Sequence, residues 1–173
     1  KKTLIMELEE RNVLHLNSTL GSLIHKLKKT NKRKLTVQEV LSHYGGLKAW
    51  LPFYLNTIDN ATKKPSSKYY SVERSDKFNI RITDSLYLLS SYQDEMFDLI
   101  AHSELLKKKE YKYSDLPYFI FKEYIEHHYK SDLNELTQLH FYRPMGANRT
   151  TYLPLEKFSK ENVVPTEKDN YYR

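Results

Sequence analysis

A chain of 173 residues without a single cysteine excludes disulfides, cysteine-ligated zinc and a cysteine nucleophile. Its 28 lysines and arginines outnumber 22 acidic residues for a net charge of +6 and a pI of about 9.2, a balance that favours anionic partners by raising encounter rate and non-specific affinity. Hydrophobic residues make up 39% and mean hydropathy is −0.72, enough for a core, while no run of about 18 apolar residues offers a membrane span.

Residues 1–11 are charged and amphipathic, with Leu4, Ile5 and Leu8 on one side, and read as a leading helical arm. Leu16, Leu20, Leu23, Ile24 and Leu27 then recur at the spacing of one helix face. The basic run that follows includes Lys28, Lys29, Lys32, Arg33 and Lys34. Cations suit the negative end of a helix dipole, and they also suit phosphate. Thr36 and Glu39 form a capping box ahead of Val37, Val40, Leu41 and Tyr44, and Gly45-Gly46 stops that helix. Leu47, Trp50, Leu51 and Tyr54 resume helical spacing until Pro52 shortens or kinks it. Trp50, the one tryptophan, reads as a core anchor.

Residues 57–68 are polar and read as a loop carrying Lys63, Lys64 and Lys68. Two strand-like runs follow, 69–72 and 78–82, joined by Glu73 to Lys77 as a hairpin. Arg74, Lys77 and Arg81 would give that hairpin a basic edge. Beyond Asp84 the pattern turns helical, with caps at Asp84 or Ser85, at Ser114, and at Ser131 or Asp132, and with Lys107-Lys108-Lys109 closing the first of the three helices. After Phe141 the prolines Pro144, Pro154 and Pro165 mark an extended tail.

The helix from Leu16 to Leu27, the helix from Thr36 to Tyr44, the Gly45-Gly46 turn with Leu47 to Leu51, and the β pair near Tyr70 and Ile80 together resemble a winged helix-turn-helix domain of the LOTUS (OST-HTH) kind. The resemblance spans about residues 13–83 and implies RNA binding or docking to helicase-type partners.

The expected architecture is mainly α with a small β-hairpin. A winged helix over residues 1–83 would be followed by a packed helical extension over 84–142 and an extended tail over 143–173. The expected function is a non-enzymatic RNA- or DNA-binding module, intracellular (nuclear or cytoplasmic), with no cofactor, metal or membrane. Its contacts would be Lys28, Lys29, Lys32, Arg33, Lys34, Lys48, Lys63, Lys64, Lys68, Arg74, Lys77 and Arg81. The alternative is a protein-interaction scaffold that docks a partner through residues 84–173.

No residue set stands out as catalytic. Glu123 and His127 share a helix face without the further ligands that zinc needs. Asp94, Glu95 and Asp98 read as the wet face of a helix, and a metal-dependent hydrolase or nuclease using them is the remotest reading. Asp84 and Asp115 read as caps. The seven histidines, His43 among them, show no ligand signature.

Overall fold

The computed structural model describes residues 2–108 and 110–164. Lys1 of the expected arm, Lys109 of the lysine run and residues 165–173 of the expected tail lie outside the described residues.

Helix α1 (Lys2–Glu10) buries Leu4, Ile5 and Leu8, and it lies on α5 (Leu116–Tyr129). The leucine-spaced stretch that follows is not one helix. It forms a single turn, α2 (Leu20–Leu23), then an extended Ile24, then a 3-10 turn at His25–Leu27. The hydrophobic spacing is genuine, because Leu20, Ile24 and Leu27 are all buried. Long-range backbone bonds reshape the segment around it. Leu20 N–H donates to the Leu35 carbonyl at 2.8 Å, and Gly21 N–H to the Arg33 carbonyl at 3.0 Å. Glycine is required at 21 for contact this close, since a Cβ there would stand 2.8 Å from the Arg33 oxygen.

The capping box forms as its sequence dictates. Glu39 N–H donates to Thr36 Oγ1 (3.1 Å), and Thr36 N–H to Glu39 Oε2 (2.9 Å), opening α3 (Val37–Leu41). No second helix follows across the Gly-Gly turn. Residues 47–51 are irregular, and a 3-10 turn occupies Phe53–Thr57. Pro52, lacking an N–H and fixing its own φ, stands immediately before that turn. Trp50 is 57% exposed and is no core anchor.

The sheet also departs from a wing. Strands β1 (Tyr70–Ser71) and β2 (Phe78–Thr83) do not pair with each other. Strand β3 (Leu86–Leu89) runs antiparallel between them, in the order β1-β3-β2, with Tyr70 opposite Leu88 and Arg81 opposite Tyr87. Leu86 and Leu89, spaced for a helix, are strand residues because β1 and β2 both offer β3 a partner edge. With neither a second helix nor a two-stranded wing, the winged-helix architecture is corrected to a helical body carrying a three-stranded antiparallel sheet.

Helix α4 (Tyr92–His102) follows, then α5, with Pro117 tolerated in its first turn, and α6 (Leu133–Thr137), capped by Asp132 accepting Glu135 N–H at 2.8 Å. One hydrophobic core runs from α1 through α3, α4 and α5 to Leu133 and Leu136 of α6. Tyr69, Tyr70, Leu88, Leu89 and Tyr92 form a smaller cluster under the sheet. Residues 150–155 lie against the body. Gln138 Nε2 donates to the Thr150 carbonyl (2.6 Å), Tyr152 N–H to Asn134 Oδ1 (3.1 Å), and Arg81 to the Leu155 carbonyl (3.1 Å). No described helix is long and apolar enough to cross a membrane.

Candidate active site

Four backbone acceptors on the segment after α3 lace it to the segment before α5. The His43 carbonyl accepts from Lys112 N–H (3.0 Å), Gly46 from Leu106 N–H (2.7 Å), Lys48 from Ser114 Oγ–H (2.6 Å) and Ala49 from Asp115 N–H (2.8 Å). Ser114 Oγ also accepts Leu116 N–H at 3.2 Å, so one buried hydroxyl ties the start of α5 to the other segment.

Two residues of the lacing, His43 and Gly46, have left-handed backbones, with φ of 63° and 67°. His43 Nδ1 accepts the Ser114 N–H at 3.3 Å. In that bond Nδ1 is the acceptor and Nε2 is left for other partners. The His43 ring lies 4.7 Å from that of Tyr113 and 6.1 Å from that of Tyr111. Tyr44 continues the row, 5.9 Å from Tyr111.

Tyr113 is held at the surface, 50% exposed. The neighbouring Asp115 carboxylate above all raises its pKa over the ordinary value for tyrosine. An exposed phenol near a carboxylate, its ring against an imidazole, is chemically able to take and give a proton. From Lys48, whose carbonyl accepts the Ser114 hydroxyl, opens a cleft of about 630 Å³ that Tyr113 itself does not line. Leu51, Phe53, Leu55 and Leu99 give it apolar walls, and Glu95, Asp98 and His102 a polar rim.

The basic residues expected to bind nucleic acid are spread along the chain. Lys32 is corrected outright. It is fully buried, donating to Asn31 Oδ1 (2.9 Å) and to the carbonyls of Ala101 (3.2 Å) and Ser103 (2.6 Å) at the end of α4, so it cannot contact a phosphate. Lys28, Lys29, Arg33 and Lys34 are exposed around it, and Lys48 borders the cleft. Lys63 and Lys64 stand in the loop after the 3-10 turn, and Lys68 Nζ bonds the Tyr69 hydroxyl at 2.9 Å. Arg74 is exposed, Lys77 lies over the Phe78 ring, and Arg81 pairs with Asp84 at 3.0 Å. Asp94 and Glu123, weighed as metal ligands, each pair with Lys26 at 2.9 Å, and no group of three or more possible metal ligands comes together among the described residues.

Sequence reasoning did not nominate His43, Tyr113 or Asp115 as a site. Asp115 passed as a helix cap, and nothing local to either segment announces that residues 43 and 113 meet.

The class of protein follows from the comparisons. A solved structure described as a "putative beta-lactamase" from Bacteroides dorei DSM 17855 shares this fold with a TM-score of 0.53 at 16% identity, covering 88% of this chain. This chain spans only 36% of that one. No curated protein matches. The model of the Beta-lactamase family matches residues 3–164, and the chain belongs to that family. This overturns the winged-helix resemblance and the readings drawn from it, namely a non-enzymatic nucleic-acid-binding module and its scaffold alternative docking a partner through residues 84–173. Three motifs carry the chemistry in β-lactamases and penicillin-binding proteins: Ser-x-x-Lys, Ser-Asp-Asn and Lys-Thr-Gly. None occurs in these 173 residues, and Ser114-Asp115 is followed by Leu116.

Proposed function

We propose that this chain is the helical part of a hydrolase acting by acyl transfer, and that Tyr113 and Asp115 are its proton-handling pair. The observation that carries this reading is the exposed Tyr113, with the His43 ring packed 4.7 Å from its own and the Asp115 carboxylate raising its pKa, in a chain of this family. With its pKa raised, Tyr113 is a neutral phenol at physiological pH and works as a relay. As a hydroxyl nucleophile attacks the acyl carbon, its proton passes to the Tyr113 oxygen, and the Tyr113 proton passes to the Asp115 carboxylate. The reverse transfer protonates the leaving group. Since no Ser-x-x-Lys is present, the nucleophile is assigned to residues outside these 173. The cleft at Lys48 would receive the acyl side of the substrate.

Hydrolysis of a chromogenic β-lactam and of nitrophenyl esters by the full natural polypeptide tests the proposal. Tyr113→Phe should lower kcat by about 10²- to 10⁴-fold, the span of general acid–base contributions, with KM nearly constant. A full rate in the phenylalanine variant would remove Tyr113 from the chemistry.

A further inference from the structure

His43 meets Tyr113 from three directions. Its carbonyl accepts the Lys112 N–H (3.0 Å), its Nδ1 accepts the Ser114 N–H (3.3 Å), and its ring packs on the Tyr113 ring at 4.7 Å with a 43° tilt. The two amides are those on either side of Tyr113. A left-handed turn brings carbonyl and ring of one residue to the same segment, and this conformation costs a non-glycine residue about 1–2 kcal/mol. Glycine fills such a position after a helix most cheaply, and glycines do stand two and three residues on, at 45 and 46. A histidine held there against that cost, with both of its local acceptors used on the amides flanking one tyrosine, points to a local constraint at an active site.

We propose that His43 is the positioning residue of the site, setting the rotamer and height of Tyr113 through the amides of Lys112 and Ser114 and through ring contact. The role rests on the reading of Tyr113 as the proton relay. His43 itself does not touch the reacting atoms. Its Nδ1 acts as an acceptor, which a neutral imidazole supplies and an imidazolium does not.

The test separates backbone, acceptor and ring. His43→Gly keeps the left-handed turn and removes both acceptor side chain and ring. His43→Asn also tolerates that turn, and its Oδ1 stands where Nδ1 stood, so it restores the acceptor alone. In the full natural polypeptide labelled on histidine and tyrosine, NMR should show His43 Nδ1 unprotonated and the Tyr113 ring signals displaced from those of a free tyrosine. His43→Gly should return the Tyr113 signals to free values. In the full polypeptide it should lower kcat about 10- to 100-fold, the scale of an ångström-sized misplacement. His43→Asn should recover a large part of both. A protonated Nδ1 in the wild type, Tyr113 signals indifferent to the glycine variant, or an asparagine variant no better than glycine would each overturn the proposal. Should Tyr113→Phe keep full activity while the spectroscopic results hold, the relay falls and the positioning of Tyr113 by His43 stands.

Discussion

Lys32 Nζ donates to the Ser103 carbonyl over 2.6 Å from a side chain with no exposed surface. Its other acceptors are equally neutral, the Ala101 carbonyl and the Asn31 amide oxygen. The arrangement puts a cation on the last carbonyls of α4, where the helix dipole is negative. It also strips the ammonium of water without giving it a carboxylate. Burial, helped by the nearby Lys48 charge, pushes its pKa down to about 8.

A pH dependence of stability follows. Between about 8 and the ordinary value of 10.5, the unfolded chain holds a proton on Lys32 that the folded chain has lost. Stability should therefore rise with pH from about 8 upward, at up to about 1.4 kcal/mol per pH unit. Tyrosines 124, 129 and 152, whose pKa values burial raises, act in the opposite sense near and above pH 10. The comparison to make is urea unfolding at pH 7.5, 8.5 and 9.5 for the wild type and for Lys32→Met. The rise should vanish in the variant, which should also lose about 1–3 kcal/mol at pH 7.5 by leaving the Ala101 carbonyl without the ammonium, while the Ser103 carbonyl keeps its bond from Asn31 Nδ2. A wild-type slope matching the variant's would refute the titration of Lys32 in this window.

Gly21 sets the approach of its segment to Arg33. Its missing Cβ would clash with the Arg33 carbonyl at 2.8 Å and Cβ at 2.9 Å, mostly unyielding main chain. Gly21→Ala should destabilise by about 1–3 kcal/mol despite the better helix propensity of alanine. Thermal denaturation decides it, and a stabilised variant would mean that this contact is looser than described.

Glu126 joins α5 to α6. One carboxylate oxygen pairs with Lys122, and the other accepts Leu133 N–H at 2.8 Å in the first turn of α6. Glu126→Ala should cost about 1–3 kcal/mol, the scale of a charged hydrogen bond to backbone, and Glu126→Gln should retain most of it. Hydrogen exchange at Leu133 should speed up in the alanine variant. Unchanged exchange there would separate the carboxylate from α6.

Asp115 is the first cause of the raised Tyr113 pKa. Asp115→Asn should therefore lower that pKa toward the ordinary tyrosine value, read from the Tyr113 ring carbon in an NMR titration. No movement would detach Tyr113 from Asp115 and with it the proposed relay.

The helix signals legible in the chain were those set by near neighbours. Thr36 and Glu39 dictate a capping box three residues long, Asp132 caps α6, and Pro117 sits where a first turn accepts it. Those interactions close within one helical turn, so tertiary context had little to change. The sheet was legible only in part. Residues 70–71 and 78–82 are strands, but Leu86 and Leu89 carry helical spacing and become β3 because two edges wait on either side of them. Spacing alone does not tell strand from helix in so short an apolar run.

The site was less legible still. Basic residues drew attention because charge is visible in composition, yet Lys32, central to that cluster, is buried. Tyr113 and Asp115 stand two residues apart and Asp115 read only as a cap, while the His43 contact with that segment arises from a meeting across 71 positions of chain.

What these 173 residues determined by themselves was the absence of thiol chemistry, the caps that start α3 and α6, and the apolar positions that Leu4, Leu20, Val40, Ile120 and Leu136 fill in the core. Tertiary structure decided how the leucine-spaced stretch breaks at Ile24, which strand lies at the centre of the sheet, and that a left-handed histidine braces Tyr113. The division has one physical reason. Caps and hydrophobic periodicity act over a turn or two, whereas the bonds from Leu20 to Leu35, from Ser114 to His43 and from Asp115 to Ala49 exist only once the core has brought distant backbone together.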